Sequence, residues 1–194
     1  MIKPKLHELV ASRICHDLIS PIGACANGAE LMAMGGGAPE VALVEESAAD
    51  AVARVRFFRI AFGQADGRQH LSSVEMAQSF AALSAKKIEV TWRAGTELPR
   101  KEAQAICLAL LCVERALPRG GAVTIKALGT HWSVSAEAEN LLITDPLWSP
   151  LTRGVAPEEV IPATVSFALL PDVLQRLGRR ISIQMTDSRI LMQF

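Results

Sequence analysis

A chain of 194 residues, half of them hydrophobic, has material for one domain or two small ones with a core. Its 20 Lys and Arg balance 20 Asp and Glu, which excludes the basic field that draws nucleic acid to a protein. The 4 cysteines lack C-x-x-C spacing, which argues against a disulfide framework, and no apolar run approaches the ~20 residues that span a bilayer.

The N-terminal "MIKPKLHELV" carries no apolar segment followed by a small-residue cleavage site, so a cytoplasmic protein without a secretory signal is expected. From Leu6 to Met34 the pattern is helical. Ala11, Ile14, Leu18, Ile22, Cys25, Ala29 and Met32 fall on one stripe, expected to face a bundle core. "GGGAPE" breaks this helix, and Pro39 suits the first turn of a second helix that runs to about Phe62. The apolar positions of that helix include Val41, Val44, Ala48, Val52 and Val55. A short turn between long helices predicts an antiparallel hairpin. Two helices cannot enclose a core, so a second copy of the chain is expected to complete a four-helix bundle.

"GQADGRQH" is polar and turn-rich, and divides a hairpin unit (residues 1–68) from a second unit (residues 69–194). In the second unit "VEMAQSFAALSA" has helical character, "KIEVTW" alternates as a strand, and "PRKEAQAICLALLCVERAL" is a strong helix ended by "PRGG". "AVTIKAL" and "HWSVSAE" suit an antiparallel pair, and "DPLWSPLTRGVAPEEVIPA" a loop. "ATVSFALLPDVLQRLG" predicts a helix that Pro171 either starts late or kinks. "RRISIQM" and "SRILMQF" form a terminal hairpin. Helices gathered beside a mostly antiparallel sheet place the chain in the α+β class.

The chemistry concentrates in "RICHDLISPIGA", Arg13 to Ala24. Around His16, at steps of three or four residues along one face, stand Ser12, Arg13, Ile19, Ser20, Gly23 and Asn27, turned away from the apolar stripe. A lone histidine on a polar helical face is ordinarily a solvated surface group. Three neighbours argue otherwise. Asp17 offers a carboxylate able to fix an imidazole tautomer or accept its proton. Pro21 withholds an N–H from the carbonyl of Asp17, at a cost of about 3 kcal/mol in a helix interior. Gly23 weakens the same stretch by roughly 1 kcal/mol relative to alanine. Antiparallel pairing about a turn near residue 37 sets residue 58 opposite His16, which brings Arg54, Arg56 and Arg59 to its height. Guanidinium groups suit phosphoryl oxygens or an acidic docking partner, though each taken alone is equally an ordinary solubilising charge.

His16, Asp17, Leu18, Ile19, Ser20 and Pro21 fit H-[DE]-L-x-x-P, which on the first helix of a hairpin resembles the H-box of sensor histidine kinases. "SRICHDLISPIGACANGAEL", "RVRFFRIAFG" and "ALPRGG" are similar to the histidine phosphotransferases of alphaproteobacteria, a resemblance that covers the whole chain. It implies a dimerising hairpin followed by an α/β sandwich resembling the kinase ATP-binding (Bergerat) fold. In such kinases an Asn stands a fixed distance before a Gly-Gly and helps hold Mg²⁺. The corresponding position, counted back from Gly120, is Cys112, and a thiol is a poor ligand for that hard cation. The D-x-G-x-G loop and glycine-rich lid are missing from "ITDPLWSPLTRG", and no G-x-x-x-x-G-K-[ST] loop occurs.

The resemblance thus implies a two-component phosphorelay protein of the cell cycle, with no autokinase activity and no bound cofactor. It would pass a phosphoryl group between receiver-domain aspartates through phospho-His16. The implied partners are receivers of the CckA, CtrA and CpdR types, with Mg²⁺ on the receiver, and a second copy of the chain; neither nucleic acid nor membrane is among them. His16 and Asp17 are the implied catalytic pair; Arg13, Ile19, Ser20, Gly23, Asn27, Arg56 and Arg59 are assigned to receiver docking. Three other functions stay open at this point: a non-catalytic dimeric receiver-binding adaptor, an ATP-dependent histidine kinase, and a metal-dependent HD-type phosphohydrolase. The last needs further ligands brought together, whereas His7, His70 and His131 are scattered. Cys107 and Cys112 suit a packed helix, and Trp92, Trp132 and Trp148 a packed domain, with partner contact left as the alternative for Trp148 in its proline-flanked loop.

Overall fold

In the computed structural model, which describes residues 5–65, 69–95 and 97–194, helices α1 (Leu6–Ala33) and α2 (Ala38–Ala61) form an antiparallel hairpin. Glycine makes the turn. Gly35 adopts φ +100°, a left-handed conformation that strains any residue with a Cβ, and the Gly36 N–H donates to Leu31 O at 3.0 Å. Pro39 lies in the first turn of α2, where a missing N–H leaves no hydrogen bond unmade. The helices approach closely at Gly28, where a Cβ would meet Val44 Cγ2 at 2.6 Å.

Helix α1 leaves the stripe expected to face a bundle core half-buried or exposed in the single chain. Its buried residues are Leu9, Arg13, Pro21 and Gly28, whereas Ile22 and Met32 are exposed, as are Val41, Val52 and Val55 of α2. The half of the hairpin nearest the termini leans on the second unit. That contact buries Arg13, and Val44 of α2 covers Gly28, on a face of α1 turned by about one residue from the apolar stripe.

In the second unit, β1 (His70–Ser72) and β3 (Glu97–Pro99) pair antiparallel in a short ladder that no alternation pattern foreshadows. Helix α3 (Ser73–Ser79) opens with a capping box: Ser72 Oγ accepts from the Glu75 N–H, and the Glu75 carboxylate accepts from the Ser72 N–H. A 3-10 segment (Phe80–Lys86) then leads to β2 (Ile88–Arg93). After α4 (Arg100–Ala116) come β4 (Gly121–Leu128), β5 (His131–Glu137), α5 (Asp145–Thr152), α6 (Val165–Arg176), β6 (Ser182–Met185) and β7 (Arg189–Gln193). The main sheet has the order β2-β4-β5-β7-β6 and is antiparallel except between β2 and β4. Its inward residues, such as Val123, Ile125, Val134 and Met192, join Ile106 and Leu110 of α4 and Phe167 and Leu170 of α6 in one core. The Gly-Gly before β4 has a steric reason: Gly120 sits at φ +88°, and a Cβ there would lie 2.3 Å from Lys87 O.

One expectation is corrected. The stretch taken as loop contains α5, whose helical pattern is masked by Pro146 in its first turn and by Pro150. Trp148 on that helix is buried edge-on against Phe167, with ring centroids 5.2 Å apart, as its packing reading expects. Helix α6 runs through Pro171 from a start at Val165.

Residue 68, at the expected unit boundary, lies outside the described residues. The core itself runs across the division, because Phe57, Phe58, Ile60 and Ala61 of α2 belong to the same cluster as α4. Arg100 Nη1 donates to Ile60 O at 2.8 Å and Gln104 Nε2 to Ala61 O at 3.2 Å, so α4 caps the last carbonyls of α2. Among the described residues no helix is long and apolar enough to cross a membrane.

Candidate active site

His16 stands near the middle of α1 with its side chain 83% exposed. Its Nδ1 lies 3.0 Å from Asp17 Oδ1. Adjacent helical positions diverge, so this contact requires Asp17 to be held to one side. Arg13, one turn earlier, holds it: Nη2 lies 2.9 Å from Asp17 Oδ2, and the Asp17 side chain is only 9% exposed. The same Nη2 donates to both carboxylate oxygens of Glu114 on α4, at 3.1 and 3.2 Å. Arg13 Nη1 donates to Ala163 O at 3.2 Å, in the turn before α6.

An ionised carboxylate only accepts hydrogen bonds, so Asp17 selects the tautomer with the proton on Nδ1. That leaves the lone pair on Nε2, the ring nitrogen away from Asp17. The ion cluster beneath is not explained by stability. Buried pairs seldom outperform apolar packing of equal volume, and Arg13 Nε is buried without a hydrogen-bond partner.

Of the residues assigned to docking, Ile19 is 72% exposed, Ser20 and Asn27 are exposed, and nothing lies within 4 Å of where a Cβ on Gly23 would be. Arg13 is corrected: it is buried between two carboxylates and presents nothing to a docking receiver. The helical wheel places it beside His16, but a contact with a residue 101 positions away covers that side of α1. Arg56 and Arg59 are exposed and border a recess with Leu71, Glu75 and Gln78, toward α3. The arginine that α2 brings to the Asp17 crevice is Arg54, which also pairs with Asp50 at 3.0 Å.

Glu114 and Ala163 escaped the sequence reading. A signal for Glu114 was present, since it is a carboxylate within the apolar "AICLALLCVERAL", and carboxylates in buried helices are paired. Cys107 and Cys112 are fully buried, which pushes both thiols up from the usual range. Cys112 also makes a side-chain hydrogen bond with Ser166 of α6. Among the described residues no three His, Cys, Asp or Glu gather as a metal-ligand group.

Residues 74–189 match the family described as histidine phosphotransferase C-terminal domain. A protein of Brucella abortus (strain 2308) named protein phosphotransferase ChpT is 36% identical over 196 residues, 96% of this chain and 93% of that protein. A solved structure described as a bacterial phosphotransferase superposes with a TM-score of 0.80 at 31% identity, covering 99% of this chain and 98% of its own. These two similarities extend through the hairpin that carries His16 as well as the sheet unit. The chain belongs to the histidine phosphotransferase family.

Proposed function

We propose that the chain relays a phosphoryl group between receiver-domain aspartates through phospho-His16. The observation that carries this reading is an exposed imidazole whose inner nitrogen is engaged by Asp17. In the first half-reaction the lone pair of Nε2 attacks the phosphorus of an aspartyl phosphate on a donor receiver. The P–O bond to the aspartate breaks, and the electron pair leaves with its carboxylate. The ring, still protonated at Nδ1, becomes a phospho-imidazolium whose charge Asp17 stabilises. In the second half-reaction an acceptor aspartate attacks phosphorus, the N–P bond breaks, and the ring departs as neutral imidazole. Because such transition states are largely dissociative, in-line placement contributes more than bond-making by the protein. Receivers of the CckA, CtrA and CpdR types are the proposed partners and hold the Mg²⁺. Ile19, Ser20, Gly23 and Asn27 form the docking strip beside the nucleophile, and the exposed Arg56 and Arg59 assist.

The reading without ATP chemistry is supported by Cys112. The position at which the kinases carry their metal-binding Asn is here a fully buried thiol engaged with Ser166. A homodimer is supported by the exposed apolar residues of both helices, Ile22 and Met32 on α1 and Val41, Val52 and Val55 on α2. A hairpin with such a stripe is completed by a second copy as a four-helix bundle.

The test is to incubate the purified chain with γ-labelled ATP alone, and separately with a receiver whose aspartyl phosphate carries the label. Label is expected on His16 only in the second case, and His16→Ala should abolish it while retaining receiver binding. Label acquired from ATP alone would identify a kinase. Receiver binding with no label in either case would identify an adaptor.

A further inference from the structure

We infer that Arg13 and Glu114 are positioning residues through which the C-terminal unit sets the tautomer and aim of His16. This rests on His16 being the phosphate carrier, and it assigns the sheet unit a part in phosphotransfer that involves no nucleotide. Four side chains, one from the sheet unit and three from α1, make a continuous series of contacts. Glu114 Oε1 and Oε2 hold Arg13 Nη2, the same nitrogen reaches Asp17 Oδ2, and Asp17 Oδ1 engages His16 Nδ1. Ala163 O holds the other terminal nitrogen of the guanidinium, so the planar fork is pinned from the second unit at two points.

The anchor is rigid. Glu114 lies in the last turn of α4, a helix buried on nearly every side, and sites carried on packed elements hold their geometry better than sites on loops. The charges explain why both carboxylates are present. Without Glu114 the guanidinium is free to close on Asp17 alone and draw it from the imidazole. Without Arg13 two buried carboxylates face each other, and Asp17 is repelled from its place. With both, Asp17 shares its donor and keeps one oxygen for His16. A displacement of the second unit against the hairpin therefore reaches the nucleophile through one side chain.

The experiment uses the full-length chain with ¹⁵N-labelled histidine and the near-isosteric Glu114→Gln. In the parent, the His16 ring is expected in the Nδ1–H form; in Glu114→Gln the Nε2–H form should grow. Transfer from a phosphorylated receiver at saturating concentration should slow by roughly 10- to 100-fold, with receiver affinity unchanged. Asp17→Asn should slow transfer similarly, and adding Glu114→Gln to it should cost little more, because both act through one contact. Should Glu114→Gln fail to fold, the charge-free Arg13→Met/Glu114→Leu pair replaces it, with the same tautomer shift expected. An unchanged tautomer in the folded variant, or losses that simply multiply in the double variant, would overturn the inference. The tautomer measurement needs no phosphate, so a parent that never accepts a phosphoryl group would sink the relay while leaving this arm readable.

Discussion

An imidazole on a helix becomes a directed nucleophile once a neighbour decides which nitrogen keeps the proton. Asp17 is proposed to do so here, and Arg13 draws its carboxylate aside toward the adjacent ring. The "HD" pair was legible in the sequence, and so was the openness beside it at Ser20 and Gly23. Arg13 was not, because its environment is set by Glu114, on another element. The buried thiols show the same influence of surroundings and allow a measurement. Burial raises Cys107 and Cys112 from an ordinary value of 9.0, Cys112 to about 12. Above that ordinary value the unfolded chain loses these protons while the folded chain keeps them. Stability from this source is complete below it and is lost as pH rises toward the folded values, at up to about 1.4 kcal/mol per pH unit per thiol. Urea unfolding at pH 8 and pH 10 should show this decline, and it should be weaker in Cys107→Ala/Cys112→Ala. An equal decline in that variant would assign the effect to other groups.

At the scale of elements, the hairpin depends on close contact and on caps supplied by its neighbour. Gly28 lets α1 approach Val44 on α2. A leucine there gains helix propensity of up to about 1 kcal/mol but must displace that side chain, and overpacking costs about 1–3 kcal/mol. Gly28→Leu is therefore expected to lower the thermal midpoint followed by circular dichroism, and an unchanged or raised midpoint would show that the hairpin spreads freely. The ends of α1 and α2 were readable from "GGGAPE", because glycine and proline act through backbone geometry alone. Helix α5 was not readable, since two prolines within eight residues hide a short helix whose reason to form is the packing of Trp148 on Phe167.

For the whole molecule, the exposed apolar stripe of the hairpin and the ion cluster on a neighbouring face are proposed to divide the labour. The stripe is proposed to take a second copy of the chain, and the cluster, which contacts the sheet unit, to aim the histidine. Val52 and Val55 lie exposed on the first of these. Val52→Glu/Val55→Glu should therefore give a monomer by light scattering with helical content retained, because like charges facing across a bundle axis repel in a weakly screened interface. A variant that stays dimeric would place the interface elsewhere.

The sequence by itself determined the helical hairpin, the α+β class, the terminal strands and the histidine with its carboxylate. These follow from periodicity, turn chemistry and residue identity, which are local properties of the chain. Only the tertiary structure decided which face of α1 is buried, that Arg13 lies beneath the site instead of on its surface, and that Glu114 and Ala163 reach it from the second unit. Those choices depend on contacts between residues more than a hundred positions apart, where no local pattern carries the information.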